Sequence, residues 1–393
     1  MQTFETFLFF LFGASSPLSI FAINLCLCLL VILFLYKLFS KKIAIEFTLA
    51  ALLLFLFFQV VSALFSDDIS SSLKGVRDFW ALTAGFVSGY AFSKESLKKI
   101  DKFKMFLSIS TSLAFIMALI QFFFGTDFQK QRLFAADGIA SMPSKGFFTH
   151  HLTFAAVVGI IFLFLLQDFL NRKANLTIYI GLFSAFLGLV LSQSRGYLLA
   201  LLLSVSLLLF SKNKKFLIAF IVFVALFLSL FLLFSPKQIK ERTFSLFSLK
   251  NGSLAERVYL FKSGIEMFEK RPVFGYGPNQ YEKNSEKFKE PYKDKVVYPE
   301  GKGFRTKCHT HNVYLMILIE SGIFGFAAFI FFLAVLFKNL ISLDETVKFA
   351  FLAPFVFILI GGLFEYNIGD AEVASVFAFL MGLSVAIKRK NDL

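Results

Sequence analysis

The 393-residue sequence predicts an all-α polytopic membrane protein, with 11–12 transmembrane helices and one large helical loop on the outward side. Three observations predict it. Hydrophobic residues make up 57% of the chain and the mean hydropathy is +0.74, more apolar surface than a water-soluble domain can bury. Many segments of about 20 residues carry no charge, the length a helix needs to cross a hydrocarbon core. Lysines and arginines collect in alternate short loops, as the positive-inside rule requires of a chain that crosses repeatedly.

Apolar spans fall near 18–36, 43–65, 76–92, 103–125, 148–167, 176–192, 196–211, 216–234, 312–337, 347–364 and 371–387. Residues 3–16 are apolar but too short to cross alone, and Gly-Ala-Ser-Ser-Pro17 follows them. They extend the first helix with a kink or form a half-helix hairpin, which leaves the count between 11 and 12. The N-terminus has no basic stretch before its apolar run, so the expectation is that no signal peptide is cleaved and the first helix is retained.

Basic loops are 37–42 (Lys37, Lys41, Lys42), 93–104 (five lysines), 168–175 (Arg172, Lys173), 211–215 (Lys212, Lys214, Lys215) and the tail (Lys388, Arg389, Lys390). All fall on one side if the spans are right, and that side is predicted to be cytoplasmic. The net charge of +14 thus follows the membrane, and no nucleic-acid partner is implied. Cys26 and Cys28 lie inside an apolar run and Cys308 stands alone in a loop, so no disulfide framework is expected.

The chain divides into N-terminal transmembrane helices (1–234), an outward loop (235–310) and C-terminal transmembrane helices (311–393). Within the loop, Val258, Phe261, Ile265 and Phe268 recur at helical spacing and predict an amphipathic helix over 255–270. Arg271-Pro272 ends it, and Phe274-Gly-Tyr-Gly-Pro278 makes a turn. Residues 282–307 read as polar and irregular, a lid or partner-facing segment.

Unusual polar residues gather on the outward face. Arg195, in the short connection Ser192-Gln-Ser-Arg195-Gly196, either meets an anion or carbonyls or snorkels to water. Arg257 opens the amphipathic helix, as an anion ligand or as a salt-bridge partner of a neighbouring acid. His150 and His151 open a span after Lys145, which adds positive charge nearby; these histidines read as structural.

The stretch Thr306-Lys-Cys-His309-Thr-His311-Asn312 joins the polar loop to an apolar helix, with Asn312 as its cap. His311 at this boundary is the candidate general base, since a neutral imidazole accepts a hydroxyl proton near neutral pH. A metal reading of His309-x-His311 is weaker. No carboxylate lies at ligand spacing, and an extended backbone would turn the two rings apart. Glu320, Glu365, Asp370 and Glu372 are acids at or within spans, read first as structural, with Arg195 and Arg257 as candidate partners.

These stretches resemble the bacterial O-antigen ligase and polymerase superfamily. The resemblance rests on His309-Thr-His311-Asn312-Val-Tyr-Leu with Glu320-Ser-Gly322-Ile-Phe-Gly325, and on Ser194-Arg195-Gly196 at the head of a span. Glu256-Arg257-Val-Tyr-Leu-Phe, Arg271-Pro272-Val-Phe-Gly275-Tyr-Gly277-Pro278 and Gly362-Leu-Phe-Glu365-Tyr-Asn-Ile-Gly-Asp370 add to it. It implies a metal-independent membrane glycosyltransferase of C-type-like architecture, without a cofactor, in the bacterial inner membrane. It implies a lipid A–core O-antigen ligase with its active site facing the periplasm. The donor would be a glycan on undecaprenyl diphosphate, the acceptor lipid A–core oligosaccharide, with membrane lipid around both.

By the same resemblance His311 matches the family's essential histidine, and Arg195 and Arg257 match its essential arginines. Arginine forks suit phosphate oxygens, so these two are the candidate diphosphate ligands. No Asp-x-Asp pair appears on the outward face, and no metal ligand is assigned. His309, Lys145, Glu320 and Asn312 are candidate supporting residues. The rival acceptors are a second lipid-linked chain (a polymerase) or a protein hydroxyl. A transporter of lipid-linked glycans is the rival from another class; transporters tend to show internal repeats and midplane polar sites, and neither is visible here.

Overall fold

A computed structural model describes residues 2–125, 143–212, 252–295 and 309–391, with isolated positions between 214 and 226. The described residues are all-helical, without strands. Six helices are long and apolar enough to cross a membrane: Ile20–Phe39, Phe47–Leu64, Ile100–Phe124, His151–Leu170, Val313–Ile341 and Ala371–Arg389. The protein is a multi-pass membrane protein. The span expected at 216–234, and Cys308, lie outside the described residues.

The chain begins with α1 (Gln2–Ser15), which is a separate helix and not a kinked start of the next. At 14 residues it is about 21 Å long, short of a hydrocarbon core of roughly 30 Å. Pro17 and the Ser19 cap turn the chain into α2 (Ile20–Phe39). The two run antiparallel: Cys26 Sγ donates to Leu8 O, and Glu5 pairs with Lys37 at 2.6 Å. Of the two expectations for residues 3–16, the hairpin is the one observed.

Next come α3 (Phe47–Leu64), α4 (Ile69–Asp78), α5 (Trp80–Tyr90), α6 (Lys94–Leu97) and α7 (Ile100–Phe124). The expected span at 76–92 is corrected here. It is two pieces, a polar α4 on the outward end and an 11-residue apolar α5, with the break at Phe79. So short a helix stays buried by close packing. Gly85 and Gly89 lie one turn apart against Ser375 and Phe379, and a Cβ on Gly89 or Gly382 would overlap a backbone oxygen of the other helix. Small residues that let backbones approach are the usual basis of helix association in lipid.

The bundle continues with α8 (His151–Leu170), α9 (Leu176–Leu191) and α10 (Arg195–Lys212). The outward loop contributes α11 (Gly252–Lys270), α12 (Tyr281–Lys289) and a 3-10 turn over Glu290–Lys295. The expected irregular segment 282–307 is therefore helical as far as Lys295, and the rest of it lies outside the described residues. Three helices close the chain: α13 (Val313–Ile341), α14 (Glu345–Gly361) and α15 (Ala371–Asn391). Phe9, Phe12, Phe103 and Phe379 stack where α1, α7 and α15 meet.

Tertiary bonds show which loops share an end. Lys37 Nζ donates to Ala91 O, Arg389 Nη2 to Phe92 O, and Asn171 Nδ2 to Thr346 O. Lys104 meets Asp168 at 2.6 Å beside them in the sequence order. At the other end, Gln121 Nε2 donates to Gly146 O, Ser144 N to Leu191 O, and Val313 N to Gly362 O. The basic stretches around residues 37, 92–104, 168–171 and 389 meet at one end, and the helices of the long loop sit at the other.

α13 is broken at Gly322, whose φ of 64° only glycine adopts readily. The break frees carbonyls, and the 272–277 turn takes them up. Tyr276 N donates to Ile319 O, Gly277 N to Glu320 O, and Ile323 N to Pro272 O. Non-helical backbone at this depth is tolerated because protein, not lipid, satisfies it.

Candidate functional site

The candidate site is built where the start of α13 meets the turn between α14 and α15. Asn312 caps α13, its side chain accepting from Leu315 N at 2.9 Å and donating to Leu363 O at 3.3 Å. His311, just before it, has a φ of 51°, a left-handed conformation uncommon for a residue other than glycine. That conformation folds the chain back, so His311 N donates to His309 Nδ1 at 3.2 Å. The two imidazole centroids lie 4.5 Å apart. The expectation that an extended backbone would separate the rings is overturned by this left-handed residue.

One carboxylate holds both rings. Glu365 Oε2 lies 2.9 Å from His311 Nδ1, and Oε1 lies 3.2 Å from His309 Nε2. Tyr366 N also donates to Oε1. Burial pushes the Glu365 carboxyl up, but the hydrogen bond to His311, with the positive charge of either histidine whenever it is protonated, outweighs it and holds the group below the usual range. An ionised carboxylate only accepts, so both facing ring nitrogens carry the protons. His309 is then the neutral Nε2–H tautomer, because its Nδ1 accepts the His311 amide. Burial in turn lowers the His309 pKa. Among the described residues, the remaining Nε2 of His311 has no hydrogen-bond partner.

His309, His311 and Glu365 each offer one ligand atom, and these lie within 4.8 Å of one another. The expectation that no carboxylate stands near the two histidines is corrected by Glu365, 54 residues away in sequence. A cation here would have to displace both ring N–H bonds to Glu365, and His309 Nδ1 is already engaged by the backbone.

Arg195 is exposed at the first position of α10. The next residue, Gly196, packs against Phe364, the neighbour of Glu365. Tyr197, buried, packs under Gly361. Arg257 is half-buried on α11. Gly264 rests on Leu315 and Ile319, and Pro272 O meets Ile323 N, so α11 and α13 run in the same direction. Arg257, two turns before Gly264, falls level with the start of α13. Both arginines thus sit at the end of the bundle that carries His311.

Lys145 is buried in the 143–150 turn, its amide donating to Gln121 Oε1 at 2.8 Å. His150 is exposed and caps α8, and His151 is half-buried beside it. Glu320 is not part of the histidine corner. It is 3% exposed, two turns into α13, where the 272–281 loop wraps the helix. Asp370, beyond Glu365, accepts from Thr153 Oγ1; burial and then Glu372 push its carboxyl up.

The reading from sequence missed Glu365 as the partner of both histidines. The signal was present, since Glu365 belongs to a polar interruption, Glu-Tyr-Asn-Ile-Gly-Asp, between two apolar spans. What the sequence lacked was the pairing of that turn with the His309–Asn312 corner.

Fold and site together define a polytopic membrane protein with a carboxylate-oriented histidine pair at the end that carries its soluble loop. Residues 180–330, a little over a third of the chain, match the family model described as O-antigen ligase. The match includes Arg195, Arg257, His309, His311 and Glu320 and ends before Glu365. No curated protein matches the chain. Superfamily members are membrane glycosyltransferase-like ligases, working on lipid-linked glycans and lipid acceptors.

Proposed function

We propose that the protein transfers a glycan from undecaprenyl diphosphate to a hydroxyl of lipid A–core oligosaccharide, at the periplasmic face of the inner membrane. The observation that carries the reading is the His311–Glu365 bond, which presents Nε2 of His311 as a base. His311 Nε2 removes the acceptor hydroxyl proton as that oxygen attacks the anomeric carbon. The bond from the anomeric carbon to the diphosphate oxygen breaks on the opposite face, and the centre inverts. The imidazolium formed on His311 is stabilised by Glu365, as a carboxylate does for a histidine base in acyl transfer. Arg195 and Arg257 take up the charge of the departing undecaprenyl diphosphate.

The test is transfer by the purified protein, with lipid A–core or a second lipid-linked glycan as acceptor, in the presence of chelator. The product identifies the acceptor. Full activity in chelator agrees with proton transfer by His311. Activity lost in chelator and restored by a divalent ion would replace this reading with a metal centre on His309, His311 and Glu365. A His311→Ala protein that inserts and still transfers at the normal rate would exclude His311 as the base.

A further inference from the structure

A second polar feature lies beside the histidine corner, and the transfer chemistry does not use it. A cavity of about 190 Å³ opens between α4, the 277–281 loop, α13 and the 366–369 turn. Asp78, Phe79, Asn279, Met316, Glu320 and Tyr366 line it. Glu320 is approached by the backbone amides of Tyr281, Asn279 and Gln280, yet its Oε1 has no hydrogen-bond partner among the described residues. A buried carboxylate oxygen without a partner is costly, and such a group calls for something that completes it. The backbone here is also committed. Asn279 has a φ of 59°, and the adjoining turn is bonded into the break of α13.

The lining selects the chemistry of the occupant. The lining holds two acidic side chains and no cationic one, so an anion finds no partner there. A divalent cation seeks six or more oxygens, and the lining offers few beyond Asp78 and Glu320. Neutral hydroxyls suit the site: a carboxylate accepts from them in pairs, an amide side chain adds a donor and an acceptor, and aromatic faces cover C–H surface. Pockets that enclose drug-sized ligands run to roughly 300–1,000 Å³, so this smaller one suits a single sugar ring rather than an oligosaccharide. Its position fits too. Tyr366 lines the cavity, follows Glu365, and lies 5.9 Å ring to ring from His309.

We propose that this cavity is a sugar subsite, in which Glu320 and Asp78 accept hydrogen bonds from the hydroxyls of one ring of a reacting glycan. The proposal rests on the glycan-transfer reading above. The ring belongs either to the lipid-linked donor or to the glycolipid acceptor, which present the same hydroxyl chemistry.

Binding to the full-length protein in detergent separates these sources. The probes are bare undecaprenyl diphosphate, the same lipid carrying a glycan, and the lipid A–core acceptor, each with wild type, Glu320→Gln and Asp78→Asn. The expected result is that both variants weaken one glycan-bearing probe by about tenfold or more, as loss of a charge-assisted hydrogen bond does. Bare undecaprenyl diphosphate keeps its affinity. Loss with the donor assigns the donor's ring, and loss with the acceptor assigns the acceptor's. Asp78 is exposed, so Asp78→Asn carries the test if the buried Glu320→Gln misfolds. Unchanged affinity for both glycan probes in a folded variant would overturn the subsite, as would binding that appears only with added Mg²⁺ or Ca²⁺. Wild type that binds neither undecaprenyl lipid would instead sink the glycan-transfer reading, and the subsite with it.

Discussion

The two ends of the bundle both bury charge, and they do it differently. At the basic end each buried acid meets one lysine. Glu5 and Lys37 are 1% and 5% exposed, and the remaining capacity of the pair is used by Ser93 N and Ala91 O. Lys104 closes on Asp168 in the same way. At the outward end the pairing is uneven. Glu365 serves two histidines and a backbone amide, His311 keeps a ring nitrogen open, and Glu320 keeps an oxygen unmatched. A closed pair fixes helices against each other. An open one leaves bonding capacity for a further group, and the histidine corner and the cavity at Glu320 are where it is left.

Breaking the open end should abolish chemistry and spare the fold. His311→Ala is expected to lower transfer by about 10²–10⁴-fold, the range for removing a general base, with the protein still inserted and folded. Glu365→Gln should also lower the rate, by less, because Nε2 remains but its orientation and the charge that steadies the imidazolium are lost. Steady-state transfer on detergent-purified protein, next to a thermal unfolding curve, checks both. Equal loss of rate and of folded protein would erase the distinction between the ends.

Breaking the closed end should do the reverse. Lys37→Ala leaves Glu5 buried and unpaired, at a cost of about 3–5 kcal/mol, while transfer per folded molecule stays unchanged. The double variant Glu5→Leu with Lys37→Met should recover most of that stability, since hydrophobic replacements of a buried pair are often neutral. Denaturation of the three proteins side by side is the measurement. Gly89→Ala forces α5 from α15, and about 1–3 kcal/mol is expected for such overpacking, read as a lower unfolding temperature.

The smallest effect is a pH dependence that His309 gives the histidine corner. His309 has its pKa lowered in the folded protein, so the unfolded chain binds the proton more readily. Stability is therefore full above the ordinary histidine value of about 6.5 and falls as pH drops below it, levelling once the folded value is passed. Unfolding temperature measured between neutral and mildly acid pH should show that slope in wild type and a flatter one in His309→Gln.

Much of the architecture could be read from residue order alone, because lipid and charge act on local runs. Lys37, Lys104 and Arg389 marked one end, and their partners Ala91, Asp168 and Phe92 are found with them. The break between α4 and α5 was hidden because Phe79 and Trp80 are as apolar as the helix they interrupt. The corner was only half legible. His311 and Asn312 stood out at a polar-to-apolar boundary, whereas Glu365 looked like one more acid between spans. Its role depends on a left-handed residue at position 311 and on a contact between distant turns, and neither leaves a local mark in sequence.

The stitch at Gly322 has a mechanical consequence. Main-chain bonds from the 272–277 turn fasten the loop helices to a membrane-spanning helix below the histidine corner. Val313–Ser321 and α11 therefore share one main-chain anchor, and a tilt of that segment is expected to carry α11 along with it.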